Sequence, residues 1–482
     1  MYPQNSGARV RYSSKRYSLR TSIALATGLV LAISLAACGG GSSGGDGGGG
    51  SSASCPTTAL DKATAPVKIT MWHAMNRANE EALVRLTKQY NESQSKVEVT
   101  LINQTGYRES LEKFRAGLTS GDLPNLVQIE DSGTQQMIDT QAILPAQVCI
   151  DATKYDTSDF IPRVLGYYSV KDELQPMPFN VSNPVLYFDK NGFRQAGLDP
   201  ENPPKTLEEV RAAAVKLQGV GYKYGWGQKL DPWYLEQWSA KAGVLYANND
   251  NGRASRASAV TFDNSTGLEI FTWMQAMVKD GLAVTNSASG TAGFNNLLGI
   301  RSKDVGMTID TSAALGTIQQ VIESGESGGA EVGVGPMPGP SGKGGVLVGG
   351  GALYIVKKGS TPAQQLASFD FAKWLNSPEI QADWSASTGY VPTRKSAVNV
   401  AILKNKWIAD PEFKVAYDQL ISGANNSATA GPVIGAYQAV RDAVLKAQEK
   451  LFLEGLSPAK ALKEAKTGAD AAIKEYNLRI GG

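Results

Sequence analysis

Histidine is almost missing from this 482-residue chain; His73 is the only one. Cysteine is scarce as well, limited to Cys38, Cys55 and Cys149. Zinc sites and cysteine-nucleophile chemistry therefore have too few residues to draw on. After Cys38 no apolar run approaches the roughly 20 residues of a membrane span. The rest of the chain also has no long basic run, which argues against a nucleic-acid partner. No dinucleotide-type glycine fingerprint follows a strand. The Gly/Pro-rich stretch 333–345 fails as a phosphate loop, because Met337 stands where the first glycine is needed and Gly344 replaces the Ser/Thr. No pair of acidic residues stands out as a general acid and base. These shortages leave no cofactor or metal implied.

What is present begins at the amino terminus. Arg9, Arg11, Lys15, Arg16 and Arg20 precede an apolar run over 23–37, with no acidic residue among them. A basic region, an apolar region and small residues before a cut site make a secretory signal over 1–37. Leu35-Ala36-Ala37-Cys38 resembles the lipobox of bacterial lipoproteins, which implies lipidation of Cys38. The alternative is an uncleaved anchor, for which the apolar run is short. Residues 39–54 are almost pure Gly/Ser, so 38–65 reads as a flexible tether with a reach of roughly 20 Å. The whole chain carries +2; without the five leader cations the remainder is near −3. The expected location is the cell membrane, by a lipid anchor, facing the periplasm or exterior. In an oxidising compartment Cys55 and Cys149 form a disulfide; two free buried thiols are the alternative.

The rest is long enough for two or three domains. Segments 67–72, 97–102 and 126–129 read as strands, separated by helices over 79–90 and 107–118. This alternation predicts a parallel sheet covered on both faces. Residues 177–188 are extended, with Pro178 and Pro184 preventing helix. Thr206 reads as an N-cap for a helix over 207–217, with Glu208 and Glu209 in its first turn. Helices follow over 233–242 and 268–278. Strands return over 305–309 and 353–356, and helices close the chain over 366–376, 379–385, 440–452 and 460–476. The order predicts two α/β lobes with several crossings and a cleft between them that closes on a small molecule. Trp226, Trp233 and Trp238 cluster between two helices. Trp238 reads as core, whereas Trp233, just after Pro232, reads as a cleft residue able to face a ligand.

Several stretches together carry a family resemblance. They are Trp72-His73-Ala74-Met75, Asn91-Glu92-Ser93-Gln94, Ala196-Gly197-Leu198-Asp199-Pro200 before Pro203-Pro204-Lys205-Thr206, Ser377-Pro378-Glu379, and Thr388-Gly389-Tyr390-Val391-Pro392. The chain resembles the extracellular solute-binding proteins of carbohydrate-type ABC importers, most closely those for glycerol-3-phosphate and glycerophosphodiesters. The resemblance runs from Val67 to about Tyr476. It implies a two-lobe, maltose-binding-protein-like fold of discontinuous lobes, drawn here as 66–181 plus 313–355 and 182–312 plus 356–482. It also implies a monomer that presents its solute to an ABC permease and ATPase.

Carried over residue by residue, the resemblance implies a pocket of Tyr107, Asp131 (with Glu130 as a one-place alternative), Ser182, Leu230, Trp233, Ser312, Gly350 with its neighbours Gly349 and Gly351, and Tyr390. Each has a structural reading too: Asp131 as a helix cap, Ser182 and Ser312 as hinge residues, Tyr390 as core, and the glycines as packing. The phosphate-binding members carry an arginine where Val433 stands here, so the resemblance leaves open a neutral saccharide or a diester. Arg441, two turns on, is expected to be structural. The competing function is a cell-surface glycosidase or phosphodiesterase, which needs paired carboxylates about 5–10 Å apart or a metal cluster; a lectin-like adhesin is the third.

Overall fold

A computed structural model describes residues 54–287, 294–323 and 330–481. The leader, Cys38 and its predicted lipidation lie outside the described residues. The strands in chain order are β1 (Val67–His73), β2 (Val97–Asn103), β3 (Leu126–Glu130), β4 (Ile143–Leu144), β5 (Ser169–Val170), β6 (Glu173–Leu174), β7 (Met177–Ser182), β8 (Pro184–Asp189), β9 (Tyr224–Leu230), β10 (Ala283–Ser287), β11 (Val305–Thr311), β12 (Val332–Pro336) and β13 (Gly349–Val356).

Two sheets organise the molecule. The first has the order β2-β1-β3-β13-β4, with β7 also paired to β13. The second has the order β10-β9-β11-β8-β12. β1 runs parallel to β2 and β3, as the strand–helix alternation predicts. Later strands correct the expectation of an all-parallel sheet. β13 is antiparallel to β3, β4 and β7, and β8 is antiparallel to β11 and β12. These are the strands through which the chain returns from the opposite lobe, so they enter from the other end.

The helices form where apolar spacing provides a buried face. In Arg77–Ser93, Ala82, Leu83, Leu86 and Tyr90 face inward, the i, i+1, i+4, i+8 pattern of one helical stripe. Leu207–Gly219 starts at the predicted Thr206. The Thr206 hydroxyl accepts from the Glu209 N–H, and the Glu209 carboxylate accepts from the Thr206 N–H. This reciprocal cap satisfies donors that the first turn leaves open. Tyr437–Leu453 and Pro458–Arg479 pack on each other and on Ser265–Lys279. No described helix is long and apolar enough to cross a membrane.

The crossings between the sheets position the site. β7 ends at Ser182 in the first sheet and β8 starts at Pro184 in the second, leaving Asn183 alone between them. Asn183 is fully buried. Its carbonyl accepts from the Ser312 N–H at 2.9 Å, just past the end of β11, so two crossings are fastened together. Its amide donates to the Ala416 carbonyl at 2.9 Å.

The lobe boundaries drawn from sequence need two corrections. Segment 313–355 was assigned whole to the first lobe, yet within it β12 pairs with β8 in the second sheet. Segment 356–482 was assigned whole to the second, yet Pro362–Leu375 packs on β1 and β13, and Pro378–Thr388 packs on Arg77–Ser93. A strand of five residues, two of them glycine and one proline, does not say which sheet it joins, and which sheet a helix covers is a tertiary fact. Cys55 and Cys149 form the expected disulfide.

Candidate ligand-binding cleft

The start of β13 brings three elements together. Gly350 has φ +93°, and a Cβ there would lie 2.0 Å from the Asn180 carbonyl oxygen. Only glycine fits both the left-handed conformation and that approach. A Cβ on Gly349 would lie 2.5 Å from the Trp233 ring. Trp233, from the helix Trp233–Ala242, therefore lies against a strand of the first sheet. The Tyr107 ring sits over Gly351. The Asn180 side-chain amide lies 2.7 Å from the Tyr107 hydroxyl, 3.1 Å from that of Tyr390 and 2.7 Å from the Gln128 amide. Tyr390 stacks on Trp384 with centroids 5.3 Å apart.

Ser182 pairs with Gly349 across β7 and β13. The Ser312 carbonyl lies against Gly389, next to Tyr390. The Ser312 hydroxyl and the Trp233 indole N–H are buried without a hydrogen-bond partner among the described residues. Leu230 ends β9, and the Asp231 carboxylate accepts from the Trp233 N–H at 3.0 Å, which fixes the start of the helix. Of the predicted residues, Tyr107, Ser182, Trp233, Ser312, Gly350 and Tyr390 thus gather near the crossings, Leu230 ends the strand just before Trp233, and Asp131 stands with Tyr167 and Arg441.

The charges are arranged around Arg441. Arg441, 7% exposed, makes a bidentate pair with Glu236, at 2.8 Å from both Nε and Nη2. Nη1 reaches Glu130 at 2.8 Å and donates to the Ser132 hydroxyl at 3.3 Å. Asp131 lies 3.9 Å from Nη2. Burial alone would lower the Arg441 pKa, but Glu130 and Glu236 outweigh it and hold the group well above its ordinary value. Burial raises the Glu236 pKa, against the opposing pull of Arg441. Asp131 is buried, accepts from the Tyr167 hydroxyl at 2.9 Å, and has its pKa pushed up to about 8, chiefly by burial. Glu130 is the more open of the two neighbouring carboxylates, with its side chain 25% exposed. A second pair, Lys229 with Asp310 at 3.0 Å, stands beside Asp231; burial lowers the Lys229 pKa, and these two carboxylates more than reverse that.

Sequence reasoning missed part of this. Arg441, expected to be structural, joins the candidate site carboxylates as well as Glu236. Asn180, Asn183, Asp231 and Glu236 were not singled out. Arg441 and Glu130 stand 311 positions apart in the numbering, so no spacing signal links them. Val433, at the expected arginine position, is buried and donates its N–H to the Asn251 carbonyl at 2.8 Å. Trp226 and Trp238 are fully buried; the Trp238 indole donates to the Pro338 carbonyl, so its core reading agrees with the structure.

Comparison with known proteins adds identity to this geometry. The chain is 27% identical over 426 residues to the sn-glycerol-3-phosphate-binding periplasmic protein UgpB of Salmonella typhimurium, covering 86% of this chain and 94% of that protein. Its fold matches the GacH receptor of Streptomyces glaucescens, solved unliganded and with acarbose, at TM-score 0.70 and 19% identity, over 85% of this chain and 99% of that one. It matches UgpB from Mycobacterium tuberculosis in complex with glycerophosphocholine at TM-score 0.69 and 19% identity, over 86% and 99%. The fold also matches the sugar-binding protein MalE of the phytopathogen Xanthomonas citri at TM-score 0.70 and 18% identity, over 86% and 99%. A sequence family described as bacterial extracellular solute-binding protein matches residues 85–415, and the chain is a member of that family.

Proposed function

We propose that this chain is the receptor of an ABC importer, lipid-anchored through Cys38, which captures a hydroxyl-rich solute between its lobes and delivers it to the permease. The observation that carries this is the convergence of Trp233 from the second lobe with Tyr107, Asn180 and Tyr390 of the first on the strand at Gly349–Gly351. An aromatic face and several hydroxyl and amide groups suit a saccharide or a glycerol derivative. The Ser312 hydroxyl and Trp233 indole N–H supply unused donors. Three carboxyl groups, Glu130, Asp131 and Glu236, surround the Arg441 guanidinium. Such a field disfavours a phosphomonoester and suits a neutral saccharide or a diester such as glycerophosphocholine. Relatives whose names describe binding support a receptor over a glycosidase or phosphodiesterase.

The experiment is calorimetric titration of the wild type and Trp233→Ala with maltose, trehalose, glycerophosphocholine and glycerol-3-phosphate. A ligand that binds only the folded state also raises the melting temperature. We expect saturable binding of a saccharide or the diester, weakened by roughly 1–3 kcal/mol in Trp233→Ala, the loss of a buried anchor. Absence of binding across the panel, or no loss in the variant, rejects the reading. Membrane retention unchanged by Cys38→Ala rejects the anchor.

A further inference from the structure

The cleft already contains an arginine, and its hydrogen-bonding capacity is nearly used up. Of the five N–H donors of a guanidinium, Arg441 commits Nε and one on Nη2 to Glu236 and one on Nη1 to Ser132, and the Glu130 carboxylate stands 2.8 Å from Nη1 as an ion pair. The last, on Nη2, faces Asp131. The two carboxylate partners differ in kind. Glu236 is 1% exposed and comes from the helix Trp233–Ala242, in the same lobe as Arg441. Glu130 ends β3 in the first sheet, is partly exposed, and is paired in register with Gly351, under the Tyr107 ring. Glu130 also accepts from Ser132 at 2.9 Å and Gln438 at 2.9 Å. The Glu236 pair builds the lobe; the Glu130 contact is made from the cleft side.

We infer that Glu130 is a specificity-determining residue, which excludes phosphomonoesters by occupying the Nη1 edge of Arg441, the guanidinium edge on which a phosphate would otherwise dock. The inference rests on the receptor reading above. A phosphate brought to this edge meets the Glu130 carboxylate in the position its own oxygens need, and gains no free charge-assisted donor in return. Ligands whose polar groups are hydroxyls escape this conflict. Removing Glu130 leaves Arg441 held by Glu236 and opens Nη1 to an incoming anion, and one charge-assisted hydrogen bond of this kind is worth about tenfold or more in affinity.

The test titrates glycerol-3-phosphate, glycerophosphocholine and maltose into the wild type, Glu130→Ala, Glu130→Gln and Asp442→Ala. Alanine removes both charge and bulk; glutamine removes charge but leaves an acceptor near Nη1. Asp442 is next to Arg441 in sequence but pairs with Arg108, so its removal changes the charge near Arg441 without freeing any of its donors. We expect glycerol-3-phosphate affinity to rise about tenfold or more in Glu130→Ala, less in Glu130→Gln, and not in Asp442→Ala. Tight glycerol-3-phosphate binding by the wild type overturns the inference. So does an equal gain in Asp442→Ala, or no gain in Glu130→Ala when the wild type binds the diester or saccharide. If no form binds any of the three, the receptor reading falls and this inference with it.

Discussion

Arg441 and Arg253 are both drawn away from water, and they are satisfied in opposite ways. Arg441 is surrounded by carboxylates, with Glu236 and Glu130 each at 2.8 Å. Arg253 meets backbone carbonyls instead: Gly431, Gly166, Ser169, Tyr167 and, closest, Ala430. The effects on the two groups diverge accordingly. Burial lowers the Arg253 pKa with no strong counter-charge, whereas in Arg441 the carboxylates overcome burial and raise it. Carbonyls orient a guanidinium and stitch loops together while its charge stays uncompensated. Carboxylates neutralise it and leave nothing for a third party. One chemical group thus serves as a loop fastener at one place and as a masked cation at another.

The strongest way to break this comparison is Arg441→Leu. It leaves the buried Glu236 without its partner, and we expect a loss of about 3–5 kcal/mol in denaturant unfolding. A smaller loss than that of the Arg253 variant would show that the carboxylate cluster does not depend on this cation. Arg253→Gln removes donors from five carbonyls, some of which water can reach. We expect roughly 1–3 kcal/mol, read by the same measurement. The subtlest effect sharpens the electrostatic side. Asp131 has a folded-state pKa of about 8, above its ordinary carboxylate value, so between about pH 4 and 8 the folded chain holds a proton that the unfolded chain has released. Stability contributed by this group therefore declines as pH rises through that window. Asp131→Asn, which keeps an acceptor for Tyr167, should flatten the stability profile between pH 5 and 8; an unchanged slope would place the titrating group elsewhere.

Legibility from sequence followed the range of the interaction. The Thr206–Glu209 cap and the inward stripe Ala82, Leu83, Leu86, Tyr90 depend on neighbours within eight positions, and the sequence predicted the helices that they build. The glycines of β13 were found only through family resemblance, whereas Trp233 reads as a cleft residue from its place just after Pro232. Their meaning, a ring lying on a strand that tolerates no Cβ, depends on two segments more than 100 residues apart. The pairing of Glu130 with Arg441 lay further out of reach: the resemblance offers Glu130 only as an alternative to Asp131 and Arg441 as structural, and 311 positions separate them. The crossing of β12 to the second sheet failed for the same reason: its five residues do not say which edge they will pair with.

The Cys55–Cys149 bond has a mechanical consequence. Cys149 lies in the helix Ala146–Thr153, which follows β4 of the first sheet, and the cross-link closes a span of 94 residues containing β1, β2 and β3. A pull applied ahead of Cys55 travels through the sulfur bridge into that helix, because the backbone route from Cys55 to Cys149 is far longer. β1 is the second strand of its sheet and would otherwise be peeled from its neighbours starting at Val67, one ladder bond at a time. The bridge relieves it of that load and hands the tug of the amino terminus to the helix Ala146–Thr153 instead.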